Sequence, residues 1–210
     1  MLIRMEPLRA QDGGTLTRVL VTLLVIAVLL FAGLYFFTKA QHPLAAGDPV
    51  DAHLAFSDVL QNHGTTTEPK VALEPNGQIF VATTVRNTGG RTVTLQGLGT
   101  VGVDPEVPYI PVDLRLGDGT ATTSEATAPF SPTKLAPGTD VGVLVTYAVN
   151  PNLNCSFFSD LSAGGGTEID SFPVRFTTFG IENQQTLSFG APIVTIERPT
   201  RAACDVATGG

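Results

Sequence analysis

The strongest constraint on this chain is an uncharged run of twenty residues near its N-terminus, which begins at Val19 and ends at Thr38. A helix rises about 1.5 Å per residue, so the run spans about 30 Å, the thickness of the hydrocarbon core of a bilayer. It has no polar face, which a helix packed on a soluble domain would show. The sequence therefore predicts a transmembrane helix over residues 19–38.

The charges that flank this run predict its orientation. Arg4, Arg9 and Arg18 precede it, and Lys39 alone follows it closely. Positive residues stay on the cytoplasmic side, so we expect a cytoplasmic tail over residues 1–18 and an extracytoplasmic remainder. The run is longer than the apolar region of about 7–15 residues in a cleaved signal peptide, which favours an uncleaved, single-pass anchor in the cell membrane.

A pilin-like leader is an alternative interpretation of the same region. The residues from Gly13 to Arg18 resemble the type IV pilin pattern, in which Gly is followed by Phe-Thr-Leu-x-Glu, but this chain has Arg18 at the acidic position. A pilin-like subunit would be cleaved after Gly13 or Gly14, which separates this hypothesis from an uncleaved anchor.

The composition beyond the anchor predicts an all-β domain. The chain contains 22 Gly, 15 Pro and no Trp, which is typical of many short strands separated by turns. Residues 39–68 are expected to form a juxtamembrane region. Asp48-Pro49 reads there as a helix start and predicts a short helix over 49–61, with pairing as a first strand as the alternative.

The alternation of apolar and polar residues is clearest at residues 78–86 and 140–150. Further strands are predicted, and they lie at residues 92–103, at 109–116, and in a hairpin of 171–179 with 186–197 that turns at 182–184. Pro111 indicates that strand 109–116 lies at a sheet edge. We therefore predict an immunoglobulin-like antiparallel sandwich of about seven strands over residues 69–198. A tail over 199–210 follows, which is expected to be flexible except where Cys204 holds it.

Two short sequences also resemble those of a known class. Asn87-Thr88-Gly89 ends one predicted strand, and Leu135-Ala136-Pro137-Gly138 precedes another. This pattern is similar to that of extracytoplasmic immunoglobulin-like domains in bacterial single-span membrane proteins, which are uncharacterised. Nine Arg against three Lys indicate a GC-rich genome, for example an actinobacterial one. The resemblance implies a fold and a location, and no chemistry.

Five residues are candidates for structural or binding roles. Cys155 and Cys204 are the only cysteines, and an even count in an oxidising compartment predicts a disulfide between them. Tyr109 on the predicted edge strand, and Phe157 and Phe158 in a long loop, are candidate contacts for a partner. For the two phenylalanines, packing under the disulfide is the preferred alternative.

No motif for catalysis or for a cofactor is recognisable in the sequence. Ser131-Pro132-Thr133-Lys134 matches Ser-x-x-Lys but lies between turns rather than on a helix. The histidines are spaced too widely for a metal-ligand pattern, and they are His42, His53 and His63. We therefore expect no enzyme activity, no cofactor and no protein ligands to a metal.

The charge of the chain narrows the class of partner. Beyond the anchor, nine basic residues stand against seventeen acidic ones, a difference of minus eight, which opposes nucleic-acid binding. The predicted function is a membrane-anchored, non-catalytic domain that binds another envelope or membrane protein. A ligand- or metal-carrying accessory protein of an envelope enzyme is the alternative.

Overall fold

The structure is a computed structural model that describes residues 13–39, 41–47, 51–54, 70–100, 102, 104–117, 127–158, 166–190, 192–197 and 199–209. The chain divides into two compact units, Met1–Gln41 and His42–Gly210.

The first unit contains the apolar helix α1 (Gly13–Lys39). Its segment Thr17–Thr38 has a mean hydropathy of 2.8, and it is the one stretch of the described chain long and apolar enough to cross a membrane. The large side chains of this helix are exposed on all sides; Leu24, Leu30 and Phe36 are 65%, 69% and 70% exposed. The prediction of an apolar N-terminal helix is confirmed.

The second unit is mostly β. In chain order its strands are β1 (Leu44–Ala46), β2 (Asp51–Leu54), β3 (Lys70–Val71), β4 (Gln78–Asn87), β5 (Val93–Leu98), β6 (Tyr109–Gly117), β7 (Ala128–Pro129), β8 (Thr133–Leu135), β9 (Asp140–Val149), β10 (Gly166–Ile169), β11 (Ser171–Thr178), β12 (Ile181–Ser188) and β13 (Val194–Glu197). A short 3-10 helix (Cys155–Phe157) follows β9, and helix α2 (Arg201–Thr208) follows β13.

These strands form three sheets. A six-stranded sheet has the order β1-β4-β9-β6-β7, with β2 also paired to β4; a four-stranded sheet has the order β12-β11-β5-β8. The third sheet has the order β10-β13-β3, and its β3–β13 pair is parallel whereas the other pairs are antiparallel. The predicted count of about seven strands is too low, because sequence alternation does not reveal strands as short as β3 or β7.

The six-stranded and four-stranded sheets contribute to one hydrophobic core. From the larger sheet Ile79, Val81 and Val145 are fully buried, and from the smaller one Phe172 and Phe176. The alternation predicted for β4 and β9 produces this face, because every second side chain of a strand points to the same side. Burial of each such side chain stabilises the fold by about 1.5–3 kcal/mol.

Strand β1 follows the apolar helix closely in the chain. It belongs to the second unit and is held there at several points. It pairs with the end of β4 from Leu44 opposite Asn87 to Ala46 opposite Val85. The Gln185 side chain adds two hydrogen bonds, since its Nε2 donates to the Leu44 carbonyl at 2.6 Å and its Oε1 accepts from the Leu44 amide at 3.2 Å.

The predicted helix over residues 49–61 is wrong where the structure describes it. Residues 51–54 form β2 and pair with Ile79 to Ala82 of β4, which matches the alternative of a first strand. A free edge of β4 offers a ladder of hydrogen-bonding partners, and this outweighs the weak helical preference of a short segment. Residues 48–50 and 55–69 lie outside the described part of the chain.

The hairpin prediction near residues 182–184 is also wrong in its turn. The turn between strands β11 and β12 begins three residues earlier, at Phe179 and Gly180, whose φ angles are +54° and +76°. Two successive positive φ angles match the twist of a two-residue hairpin, but Asn-Gly or Asp-Gly is the usual sequence there. Because Phe occupies the first position, the turn was not recognisable.

The C-terminal segment is helical rather than flexible. Thr200 caps α2 by accepting a hydrogen bond from the Ala203 amide, and Gly209 ends the helix in a left-handed conformation. Cys204 is fully buried within this helix. Capping residues at both ends and one buried anchor compensate for a length of eight residues, which is too short for an isolated helix.

The β unit has two distinct ends. We call the end where the chain arrives from α1 the entry end; it comprises Pro43 and residues 88–91, 136–139 and 179–180, as the pairing of β1, β4 and β11 places them. The opposite end, called the far end, comprises residues 74–77, 104–108, 150–158 and α2.

Candidate binding site

The two cysteines lie at the far end and are paired in the structure. The Cα atoms of Cys155 and Cys204 are 5.5 Å apart, and their sulfur atoms are at bonding distance. The Asn154 side chain organises the approach by accepting a hydrogen bond from the Ser156 amide at 3.0 Å. This pair holds α2 against the loop that follows β9, so its role is structural rather than that of a reactive thiol site.

The predicted partner contacts are not available at the surface where the structure describes them. Tyr109 is only 4% exposed and Phe158 only 7%, and both belong to the hydrophobic core. The Phe157 side chain lies outside the described residues.

The surroundings of Tyr109 affect both its hydroxyl group and the packing of its ring. Its pKa is raised by burial and by the nearby Glu74 carboxylate, while a hydrogen bond with the Glu74 backbone acts in the opposite direction. A Cβ atom at Gly77 would collide with the Tyr109 hydroxyl, so the predicted turn at residues 74–77 is also what accommodates this ring. Tyr109 therefore stays protonated and packs as a core residue.

A cleft of about 410 Å³ opens beside these residues. Its walls come from the start of β6, from the segment that joins β10 to β11, and from β12. The residues that matter for its chemistry are Tyr109, Pro111, Tyr147, Glu168, Asp170 and Gln184. Glu168 and Asp170 are exposed, so the cleft has an acidic rim above a floor of two buried tyrosines.

Two hydrogen-bonding groups fix the shape of this cleft. The Tyr147 hydroxyl donates to the Ser171 carbonyl at 2.9 Å, which joins the two main sheets at the floor. The Gln184 amide pairs with the Thr100 backbone, accepting from its N–H at 2.8 Å and donating to its C=O at 2.7 Å. Both groups are already satisfied, so they act as walls, and the Asp170 carboxylate accepts one hydrogen bond from the Ser171 hydroxyl at 2.8 Å.

The cleft also borders a largely free strand edge. Strand β6 pairs with β9 along its length, but on its other side β7 pairs only with Arg115 and Leu116. The register shifts between Pro111 and Asp113, and Pro111 has no N–H to donate. The prediction of an edge strand therefore holds for the first half of β6 as far as the described residues show.

The titratable groups in the described lining of the cleft are two tyrosines and two carboxylates. Burial raises the pKa of Tyr147, and the Asp170 carboxylate raises it further, so its hydroxyl is a poor nucleophile or base. The described lining contains no His or Cys, and the described residues contain no group of three metal-ligating side chains. An acidic rim of this kind suits the binding of a cationic or hydrogen-bond-donating group.

One exposed residue was missed by the sequence analysis. Phe179 at the entry end is 57% exposed, and the Arg91 guanidinium lies 4.7 Å from the centre of its ring. The sequence Phe-Thr-Thr-Phe-Gly suggested the end of a strand, so Phe179 was counted within it. The following Gly180 was the available signal for a turn.

Comparison with known proteins identifies no relative. No protein-family model matches the chain, and no curated protein matches it. Among solved structures the chain is similar to the VesB protease of Vibrio cholerae, at 13% identity, over 77% of this chain and 34% of that one, with a TM-score of 0.31. The chain thus spans about a third of that structure, and a TM-score of this size establishes neither a shared fold nor an activity.

Proposed function

We propose that this chain is a membrane-anchored protein whose extracytoplasmic, immunoglobulin-like domain binds another envelope or membrane protein and catalyses no reaction. The observation that carries this proposal is the acidic cleft beside the first half of β6, whose outer edge pairs with no strand among the described residues. A preformed, concave surface with exposed carboxylates at its rim is suited to recognition.

The apolar helix supports membrane anchoring. Its large side chains are exposed around the whole circumference, and such a surface is not stable in water. Lipid would cover it, and the arginines before it favour a cytoplasmic N-terminus. A signal sequence would have the same apolar character, and the length of α1 is the reason to prefer an anchor.

The order of the strands supports the immunoglobulin-like assignment. In constant-type domains one sheet has the order A-B-E-D and the other G-F-C. Taking β1, β4, β9 and β6 as A, B, E and D, and β12, β11 and β5 as G, F and C, reproduces this order in sequence and in space. The further strands β2, β3, β7, β8, β10 and β13 are additions to that arrangement.

The cleft favours a partner segment with a basic residue. Glu168 and Asp170 would pair with its positive charge, and the free edge of β6 would lie beside its backbone. Such a charge pair at a partly exposed rim contributes mostly to specificity and to the rate of association. The partner is therefore expected to present a short, extended, basic segment.

Site-specific photocrosslinking tests this function. A photoreactive residue placed at Thr186, which lines the cleft, should form a discrete product with one membrane or envelope protein when the full-length chain is expressed in its own cells. Glu168→Lys should reduce the yield of that product several-fold, whereas Asp205→Lys, an exposed acid on α2 outside the cleft, should not. If no product forms at Thr186, or both lysine variants leave it unchanged, the proposal is wrong.

A further inference from the structure

We propose that the entry end contacts the surface of the bilayer, with the Phe179 ring in the interfacial layer and Arg91 beside lipid phosphate. This inference rests on the proposed role of α1 as a membrane anchor. It goes beyond that role, because a flexibly tethered domain would need no lipid contact of its own.

A short connection leads from α1 into the β unit. The first residue bound to the β unit is Pro43, whose carbonyl accepts hydrogen bonds from the Thr88 and Gly89 amides at 2.7 and 3.2 Å. The chain between Lys39 and Pro43 can reach at most about 14 Å. The entry end is therefore the part of the β unit that this short connection joins to the proposed anchor.

Successive contacts connect Pro43 to Phe179. The two hydrogen bonds at Pro43 fix the β4–β5 turn, and the Asn87 side chain fixes it further by donating to the Arg91 carbonyl at 2.7 Å. Arg91 in turn lies over the Phe179 ring. The exposed aromatic ring and the place where the chain arrives thus belong to the same end of the unit.

The exposure and backbone conformation of Phe179 also favour a lipid contact. Single exposed apolar residues are common, but only Val112, Phe179 and Val206 are large and exposed among the described residues of the β unit. Phe179 also adopts a positive φ, which a β-turn normally assigns to Asn, Asp or Gly. An exposed aromatic side chain on a strained backbone is typical of a binding position. Aromatic rings also favour the membrane interface.

The two ends of the β unit also differ in their charged residues. The β unit is acidic overall, yet the exposed basic residues Arg86, Arg91 and Lys134 lie at the entry end, against Asp140 and Glu182. The described acids of the far end and cleft are Glu74, Asp104, Glu106, Glu168, Asp170 and Asp205, against the one exposed base Arg201 among the described residues there. Anionic lipid attracts the first group and repels the second, so the charges favour the entry end as the lipid-facing one.

Tryptophan fluorescence in vesicles tests the contact directly, because the chain contains no Trp. Phe179→Trp in the full-length chain gives a single fluorophore at the entry end, and Val206→Trp gives a control at the far end, where Val206 is 64% exposed. Each variant is reconstituted into phosphatidylcholine–phosphatidylglycerol vesicles that carry brominated acyl chains, which quench only fluorophores at the bilayer.

The proposal predicts different emission from the two variants. Trp at position 179 should shift to shorter wavelength and lose about half of its intensity, as expected for an aromatic ring at the interface. Trp at position 206 should emit as in water. Adding Arg91→Glu to Phe179→Trp should reduce the quenching, and the loss should be larger with phosphatidylglycerol than with phosphatidylcholine alone.

Flotation of the same vesicles separates the two ways in which the idea can fail. If the chain does not float with the vesicles, the anchor itself is contradicted, together with this contact. If the chain floats and position 179 is quenched no more than position 206, the anchor stands and the lipid contact is wrong. Equal quenching in Arg91→Glu would contradict the role of Arg91.

Discussion

The two ends of the β unit differ in how their loops are held. At the entry end, Asn87 is fully buried and its side chain donates to the Arg91 and Leu135 carbonyls while accepting from the Gly89 amide. At the far end, the fully buried Asn150 binds the Asp104 and Val107 carbonyls and the Asn152 amide in the same way. Each end thus relies on one buried amide with three hydrogen bonds.

Beyond this shared device the two ends diverge. The entry end closes with short turns and exposes an aromatic ring and basic side chains. The far end adds a disulfide, a helix and the buried tyrosines beneath an acidic cleft. The two ends therefore differ in charge and in exposed apolar surface, and the proposed lipid contact and the proposed partner site each rely on one of them.

The largest effect should separate two phenylalanines of the same hairpin. Phe172 is fully buried and stacks on Phe189 with ring centres 5.2 Å apart, whereas Phe179 is exposed. Phe172→Ala should lower the free energy of unfolding by about 3–5 kcal/mol, because it leaves a cavity in the core. Phe179→Ala should change it by less than about 1 kcal/mol, and urea unfolding of both variants makes the comparison. Similar losses would mean that Phe179 packs as a core residue.

The disulfide should matter only to the far end. Reduction, or Cys155→Ser with Cys204→Ser, should lower the free energy of unfolding by about 2–4 kcal/mol, because the unfolded chain gains conformational entropy when the crosslink is removed. Hydrogen exchange should show that α2 opens first, with the amides at residues 88–91 still protected. Equal acceleration at both ends would show that the far end is not an independent region.

How much of this contrast the sequence predicted depends on the kind of signal. Strands β4 and β9 were predictable because ten residues of alternation leave one register that buries the apolar face. The cysteine pair followed from count and compartment. The turn at Phe179 and the helix α2 were not predictable, since the first breaks the usual turn sequence and the second depends on Cys204 packing in the folded unit.

The candidate site shows the same limit. Tyr109 was a candidate surface contact because strand edges are usually exposed, but tertiary packing buries it. Phe158 is buried as well, which agrees with the alternative that it packs within the fold. The cleft assembles residues from positions 109, 147, 168 and 184, which no local pattern in the sequence connects. Long-range juxtaposition of this kind comes from strand order, which a single sequence does not specify.

The buried asparagines give a test with two matched variants. Asn87→Ala and Asn150→Ala each leave backbone groups without partners, so each should lower the free energy of unfolding by about 1–3 kcal/mol. Asn87→Ala should also release Arg91 and reduce lipid contact, whereas Asn150→Ala should affect crosslinking at the cleft. Thermal unfolding gives the first comparison, and the vesicle and crosslinking experiments give the second. Reversed effects would contradict the division into two ends.

The smallest effect concerns pH and belongs to the far end. Burial and the Asp170 carboxylate raise the pKa of Tyr147 in the folded chain, while in the unfolded chain it is about 10. The neutral hydroxyl therefore stabilises the fold fully below about pH 10, and this stabilisation is lost as the pH rises further. Tyr147→Phe should lose about 1 kcal/mol at neutral pH and show a weaker decline above pH 10. An unchanged decline would assign the pH dependence to other groups.

The central claim is that an uncleaved N-terminal anchor holds an oxidised β domain outside the cytoplasm. The intact mass of the protein, isolated from cell membranes with thiols trapped by an alkylating agent, tests both parts at once. We predict that the 210 residues of this sequence stay in one uncleaved chain, apart from N-terminal methionine processing, with two hydrogens lost and no alkyl group added. A mass that begins after Gly13, after Gly14 or beyond Thr38, or a chain with two alkylated cysteines, would contradict the claim.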